Sequence, residues 1–276
     1  MSGPHLVAKA PRLIAMTAMT ILVLGPLYWV TASSFKGRQE IIRNDPTLVP
    51  EDPTLENFRQ LFTATDYPTY LTNSFVVALL TALLSTLVSV AAGYGLYRLR
   101  IPGNNKVAVL ILVAYMIPGT LLLVPLYQVL AAVELIDTRN ALVLVNVAFT
   151  APFCTWLLRG FILAVPEDLD EAAAVDGAGP IRIMMQVVLP LLMPGIATAA
   201  MYAFVFSWTE FVFASQIVVS DGLKTLPIGL SAIMGQYTVN WGLLMAGTVC
   251  TMIPVILPFL FIGRYFVRGL IAGASR

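Results

Sequence analysis

Six stretches of the chain, residues 13–32, 73–96, 107–130, 141–163, 195–213 and 241–261, are almost wholly apolar, and each has roughly the 20 residues that a helix needs to cross a bilayer. Inside lipid there is no water to satisfy backbone N–H and C=O groups, so such runs must become helices. The composition agrees, with 58% hydrophobic and 11% charged residues, against about 25% charged in soluble domains. The fold expected is an all-α integral membrane protein of six transmembrane helices, forming a single membrane domain over residues 1–276. A net charge of +1 gives no reason to expect nucleic acid. Cys154 and Cys250 lie within apolar runs and lack metal-ligand spacing, and His5 stands alone, so neither disulfide nor metal is indicated.

The first run follows a short basic head, Lys9 and Arg12, which a secretory signal peptide would also carry. Its core is long for a signal peptide, and Pro26, Tyr28 and Trp29 suit the interfacial end of a spanning helix better than a cleavage site. Residues 33–70 form the longest polar segment, in which Leu55, Phe58, Leu61 and Phe62 share one face of a short helix. That face is expected to rest on the protein itself rather than on a partner. The second run is rich in small residues, Ala91, Ala92, Gly93 and Gly95 among them, which permit close helix approach in lipid. The third carries Pro118-Gly119 and Pro125, so it is either a bent pathway helix or a packing kink. An apolar outer segment, 221–237, separates the last two spans, and a basic tail with Arg264, Arg268 and Arg276 ends the chain.

Between the fourth and fifth runs lies a polar island, 165–194. Acids (Glu167, Asp168, Asp170, Glu171) precede the small residues Ala172, Ala173 and Ala174, as the dipole of a helix start favours. Gly177 and Gly179 allow a stop and turn, Pro180 opens a second helix, and Pro190 and Pro194 break the chain before the next span. Two short helices joined by a tight turn, outside the bilayer, suit docking into another protein. Lys and Arg placement sets the orientation: Lys9, Arg12, Arg98, Arg100, Lys106, Arg159, Arg182, Arg264, Arg268 and Arg276 fall on the side of both termini and this island. That side is expected to be cytoplasmic.

Catalytic constellations are missing from the sequence. There is no Gly-x-Ser-x-Gly and no Gly-x-x-x-x-Gly-Lys-Ser/Thr phosphate loop, so any ATP used must be bound by another polypeptide. Glu210, in Ser207-Trp208-Thr209-Glu210-Phe211, is the one acid inside an expected span, and an intramembrane carboxylate points to function. It either contacts substrate, lies near the outer interface, pairs with a partner subunit, or caps a local polar network. Asn146, Thr150, Tyr202 and Trp208 are further candidates for a sugar pathway, because sugars stack on aromatic faces and need hydrogen-bond partners; taken singly, each is more often a packing residue. An ion-coupled secondary transporter would need several such acids, and Glu210 stands alone.

The order Glu171-Ala172-Ala173, Asp176-Gly177, then Val187, Leu189 and Pro190 resembles the EAA coupling loop of bacterial ABC importer permeases. Val187 stands where that signature has Ile. Asp176 before the glycine matches its carbohydrate-importing branch. Ser34-Phe35-Lys36, Glu56-Asn57-Phe58, Asn73-Ser74 and Arg268-Gly269-Leu270 extend the likeness to MalG-type permeases over nearly the full length. The resemblance implies a type I ABC importer permease fold in a bacterial inner membrane, with no cofactor in this chain. It implies a second, non-identical permease, two cytoplasmic ATPase subunits carrying ATP and Mg, and an extracytoplasmic sugar-binding protein meeting segment 221–237. Glu171, Ala172, Ala173, Asp176, Gly177, Leu189 and Pro190 would couple the spans to the ATPases. Gly269 to Arg276 would reach toward those subunits, and most of the membrane sugar site would lie on the other permease.

Overall fold

The computed structural model describes residues 9–99, 102–234 and 239–274, with side chains for those from 11 to 260. His5, Arg100, Tyr237 and Arg276 lie outside the described residues. Among the described residues there is no strand. The helices are α1 (Lys9–Ser34), α2 (Glu56–Thr63), α3 (Tyr67–Tyr97), α4 (Asn104–Tyr115), α5 (Leu123–Ala132), α6 (Arg139–Ala164), α7 (Asp168–Val175), α8 (Pro180–Leu191), α9 (Met193–Thr209), α10 (Leu226–Ile233) and α11 (Trp241–Ala274).

Four helices are long and apolar enough to cross a membrane unbroken, and two bent pairs bring the number of spans to as many as six. The third expected span is not one helix. It consists of α4 and then Gly119–Ala132, bent by 87° across the break before Gly119. Pro118 lacks an N–H and pushes its predecessor out of the helical region. Pro125 falls in the first turn of α5, where its missing donor costs nothing. The fifth span ends earlier than its hydropathy suggests, at Thr209 rather than 213. At the C-terminus the last helix runs on beyond the span Trp241–Leu260 to Ala274.

The chain divides into two compact units, each made of separate stretches of sequence. One holds the chain up to Pro68 with Gly229–Ile253. Here α1 is apolar and outward-facing all round, with Leu22 75% exposed, as befits a span bordered by lipid or by another subunit. The polar segment after it is pinned rather than loose. Lys36 is buried over the Trp29 ring, 4.7 Å from its centroid, and donates to the Thr47 carbonyl. Asn57 Nδ2 donates to the Ser34 and Lys36 carbonyls at 2.9 and 2.8 Å. The short helix α2 does rest on its own protein, but through Asn57 and Leu61; Leu55 and Phe62 of the expected apolar face are exposed.

The other unit holds Thr69–Ile228 and the chain from Pro254. Its helices α3, α6 and α9 pack closely because small residues line the contacts. On α3, Ala78, Ala82, Ser85, Ser89 and Gly93 form a helical stripe, and all five are buried. Their hydroxyls are satisfied across the helices, with Ser85 Oγ 2.6 Å from Thr150 Oγ1 and Ser89 Oγ donating to the Ala151 carbonyl at 3.0 Å. Gly195 of α9 lies so near Phe161 of α6 that an added Cβ would stand 2.6 Å from the ring's Cγ. Beside this pack, Leu130, Leu142, Val145, Phe213 and Ile217 form an apolar core. Asp137 closes that end: its carboxylate accepts the Val219 and Ser220 amides, both at 2.9 Å, and the Ser220 hydroxyl.

Candidate functional site: the two-helix loop and the aromatic wall

The polar island folds as two helices, α7 and α8, joined through Gly177. Asp168, Asp170 and Glu171 occupy the first turn of α7, where the helix dipole favours acids. The helix ends in a Schellman turn: the Gly177 amide donates to the Ala174 carbonyl and the Ala178 amide to Ala173, both at 3.0 Å. That turn needs a left-handed residue, and Gly177 supplies it with φ +82°. Pro180 sits in the first turn of α8, whose middle, Met184–Val188, widens into a π-helical stretch just before Leu189 and Pro190. Such a bulge beside a proline re-satisfies carbonyls that the proline cannot. A bend of 80° then separates α8 from α9.

The exposed surface of the loop is mixed. Glu171, Ala172, Asp176 and Gly177 are exposed and Ala173 is half-buried. In the same loop the apolar side chains of Val175 and Ile181 are 88% and 76% exposed, Val175 one turn along α7 from Glu171. Leu189 is half-buried and Pro190 exposed, at the root of the loop. Glu171 also borders an open groove of about 300 Å³ with Tyr94, Arg98, Asp170 and Ile183. Spacing alone did not single out Arg98, whose Nε meets Asp170 Oδ2 at 2.6 Å. Its partner is 72 residues away, beyond any local pattern.

The five membrane candidates do not converge on one site. Asn146 is buried and its Nδ2 donates to Ser207 Oγ at 2.9 Å, which makes it an interhelical bond rather than part of an open wall. Its neighbour Thr150 is likewise buried. Trp208 is buried and stacked on Phe204, with ring centroids 5.5 Å apart. Glu210 lies beyond the end of α9, not inside it. Its two carboxylate oxygens accept the Phe213 and Ala214 amides at 2.7 and 2.9 Å, so it caps the helical turn Ala214–Ile217. Tyr202 differs. Its ring lies 4.3 Å from Phe153, which is 5.7 Å from Tyr115 and 6.1 Å from Trp156. The Tyr115 and Tyr202 hydroxyl oxygens are 3.3 Å apart. Tyr115 and Trp156 are 40% and 45% exposed. These rings form an accessible aromatic wall that the sequence did not reveal, since its members come from three helices.

Residues 86–272 match the family described as "Binding-protein-dependent transport system inner membrane component". The chain belongs to that family. It is 35% identical to the sulfoquinovosyl glycerol transport system permease protein SmoH of Agrobacterium fabrum over 97% of this chain and 94% of that one. With the trehalose/maltose transport system permease protein MalG of Thermococcus litoralis it shares 31% identity over 96% and 95%. In fold it is similar to a chain of a bacterial ABC transporter involved in import of the acidic polysaccharide alginate, with TM-score 0.83 and 18% identity over 96% of this chain and 99% of that one. The protein is thus the permease component of an ABC importer, in an inner membrane, with the type I permease fold. Nothing in this supports ion-coupled transport, and the acid that such a mechanism would use is occupied with two backbone amides.

Proposed function

We propose that this permease imports a sugar or sugar derivative delivered by an extracytoplasmic binding protein, as one of two unlike permease subunits joined to a pair of cytoplasmic ATPases. ATP and Mg belong to those ATPases. Both termini and the two-helix loop lie in the cytoplasm, on the side richer in Lys and Arg. The observation that carries this reading is the loop: a short helix with an exposed Glu171, a glycine-fixed turn, and the exposed apolar pair Val175 and Ile181. A carboxylate beside exposed apolar side chains suits a groove with a cation and an apolar floor. Ala172 and Ala173 allow close approach, Asp176 and Gly177 fix the turn, and Leu189 and Pro190 hold the loop against the start of α9.

A sugar is favoured by the relatives, which include permeases named for sulfoquinovosyl glycerol and for trehalose and maltose. Tyr202, with Tyr115, Phe153 and Trp156, offers stacking faces and two hydroxyls to a sugar ring. Asn146 ties α6 to α9 through Ser207, Trp208 packs on Phe204, and Glu210 caps the turn that follows α9, so these three serve the scaffold rather than the wall.

The test is to express the chain with the ATPase and permease genes that neighbour its own, purify the complex, and assay ATP hydrolysis with binding protein. Wild type should bring down an ATPase that responds to the binding protein, and Glu171→Lys should abolish that response. If no ATPase associates in mild detergent, the importer reading fails.

A further inference from the structure

A push applied to α7 can be lost before it reaches the membrane, because only Val165, Pro166 and Glu167 join α7 to the spanning helix α6. Those residues are a natural hinge. Arg98, just past the end of α3, closes it. Its Nη1 donates to the Val165 carbonyl at 2.7 Å and its Nη2 to the Pro166 carbonyl at 2.8 Å, while Nε holds Asp170 in the first turn of α7 at 2.6 Å. All three guanidinium nitrogens are thus engaged, and the Arg98 side chain is only 4% exposed. One turn earlier on the same helix, the Tyr94 hydroxyl donates to the Pro180 carbonyl at 3.3 Å, at the start of α8. The end of α3 therefore grips both helices of the loop and two of the three carbonyls of its hinge.

We propose that Arg98 is the transmission pin of this importer: it locks the hinge so that the loop and the spans α3 and α6 move as one body. This rests on the permease reading above. A planar fork is required, because a lysine ammonium cannot reach three acceptors that diverge around one side chain. Asp170 Oδ1 is buried and makes no hydrogen bond among the described residues, so Arg98 is the group that neutralises this carboxylate. The hydrogen bond to Asp170 in turn pushes the Arg98 pKa above its ordinary value, although a guanidinium is ionised at any working pH even without it.

The experiment uses the whole complex in proteoliposomes and reads substrate transported per ATP hydrolysed. Arg98→Gln should leave the ATPase bound while lowering this ratio about tenfold, within the range typical of coupling between distant sites. Asp170→Asn should move it in the same direction, and the double variant should be no worse than Arg98→Gln alone. Arg98→Lys should be intermediate, and Tyr94→Phe should show a smaller fall. An assembled Arg98→Gln complex with the wild-type ratio overturns the proposal. If Arg98→Gln does not assemble, unchanged ratios in both Arg98→Lys and Tyr94→Phe overturn it equally. A wild-type preparation without ATPase would instead sink the permease reading and this proposal with it.

Discussion

Replacing Gly195 by alanine tests how tightly the helix that follows the loop is seated. A Cβ at this position would stand 2.6 Å from Phe161 Cγ, 2.7 Å from Cδ2 and 3.1 Å from Cβ. Relaxed carbon contacts lie at about 3.5–4.0 Å, so the overlap is close to 1 Å. Rotating the ring cannot remove it, because Phe161 Cβ is fixed to the α6 backbone. The helices must part, at a cost of about 1–3 kcal/mol, while replacing a helical glycine returns about 0.5–1 kcal/mol. The expected net loss is about 0–2.5 kcal/mol, centred a little above 1 kcal/mol, read as a lower thermal midpoint of the purified protein in detergent. Gly93→Ala is the internal control. There the new Cβ would meet only the terminal methyl of Ile162 at 2.8 Å, with the next atoms at 3.9 Å, and that methyl can rotate away. Its midpoint should stay level or rise. Combining Gly195→Ala with Phe161→Ala should cost less than the sum of the two single changes. A stable Gly195→Ala variant, or strict additivity in the pair, refutes the close-contact reasoning.

At Gly177, φ is +82°, so Gly177→Val should strain the loop by about 1–2 kcal/mol and lower transport, while Gly177→Asn should be milder; uptake assays at matched expression decide. Asn146→Ala removes one interhelical hydrogen bond and should cost about 0.6 kcal/mol, with 1.7 as the upper end; it should lower the thermal midpoint without altering the order of preferred substrates. The amide and hydroxyl donors of Val219 and Ser220 hold the Asp137 carboxyl below its ordinary range. Because the folded value is the lower one, its stabilisation is complete above the unfolded value of about 3.9 and is lost as pH falls through the folded value. Wild type should therefore lose stability on acidification more steeply than Asp137→Ala, as denaturant titrations at several pH values will record.

The spans could be read from the sequence because lipid imposes one local rule, a run of about 20 apolar residues, and hydropathy measures that rule directly. Where the helices break depends on something else. Pro118, Pro190 and Pro194 mark places at which a helix must yield, yet the bends of 87° and 80° are set by what packs on either side. The end of α9 shows the same limit. Phe211, Val212 and Phe213 continue the apolar run past Glu210, so hydropathy carries the span onward, while the carboxylate has already turned to cap the helical turn Ala214–Ile217. Asn146 and Tyr202 show why pathway residues resist reading. A polar or aromatic group in a span serves equally well as a bond between helices or as a wall, and only its neighbours on other helices decide. The loop was legible because its chemistry is local: acids at a helix start, small residues, a glycine at the turn, prolines at the exit. Its attachment was not, since Arg98 and Asp170 are 72 residues apart. A docking surface can thus be encoded in one short stretch, but the linkage that makes docking move a membrane helix must be built from residues that only the fold brings together.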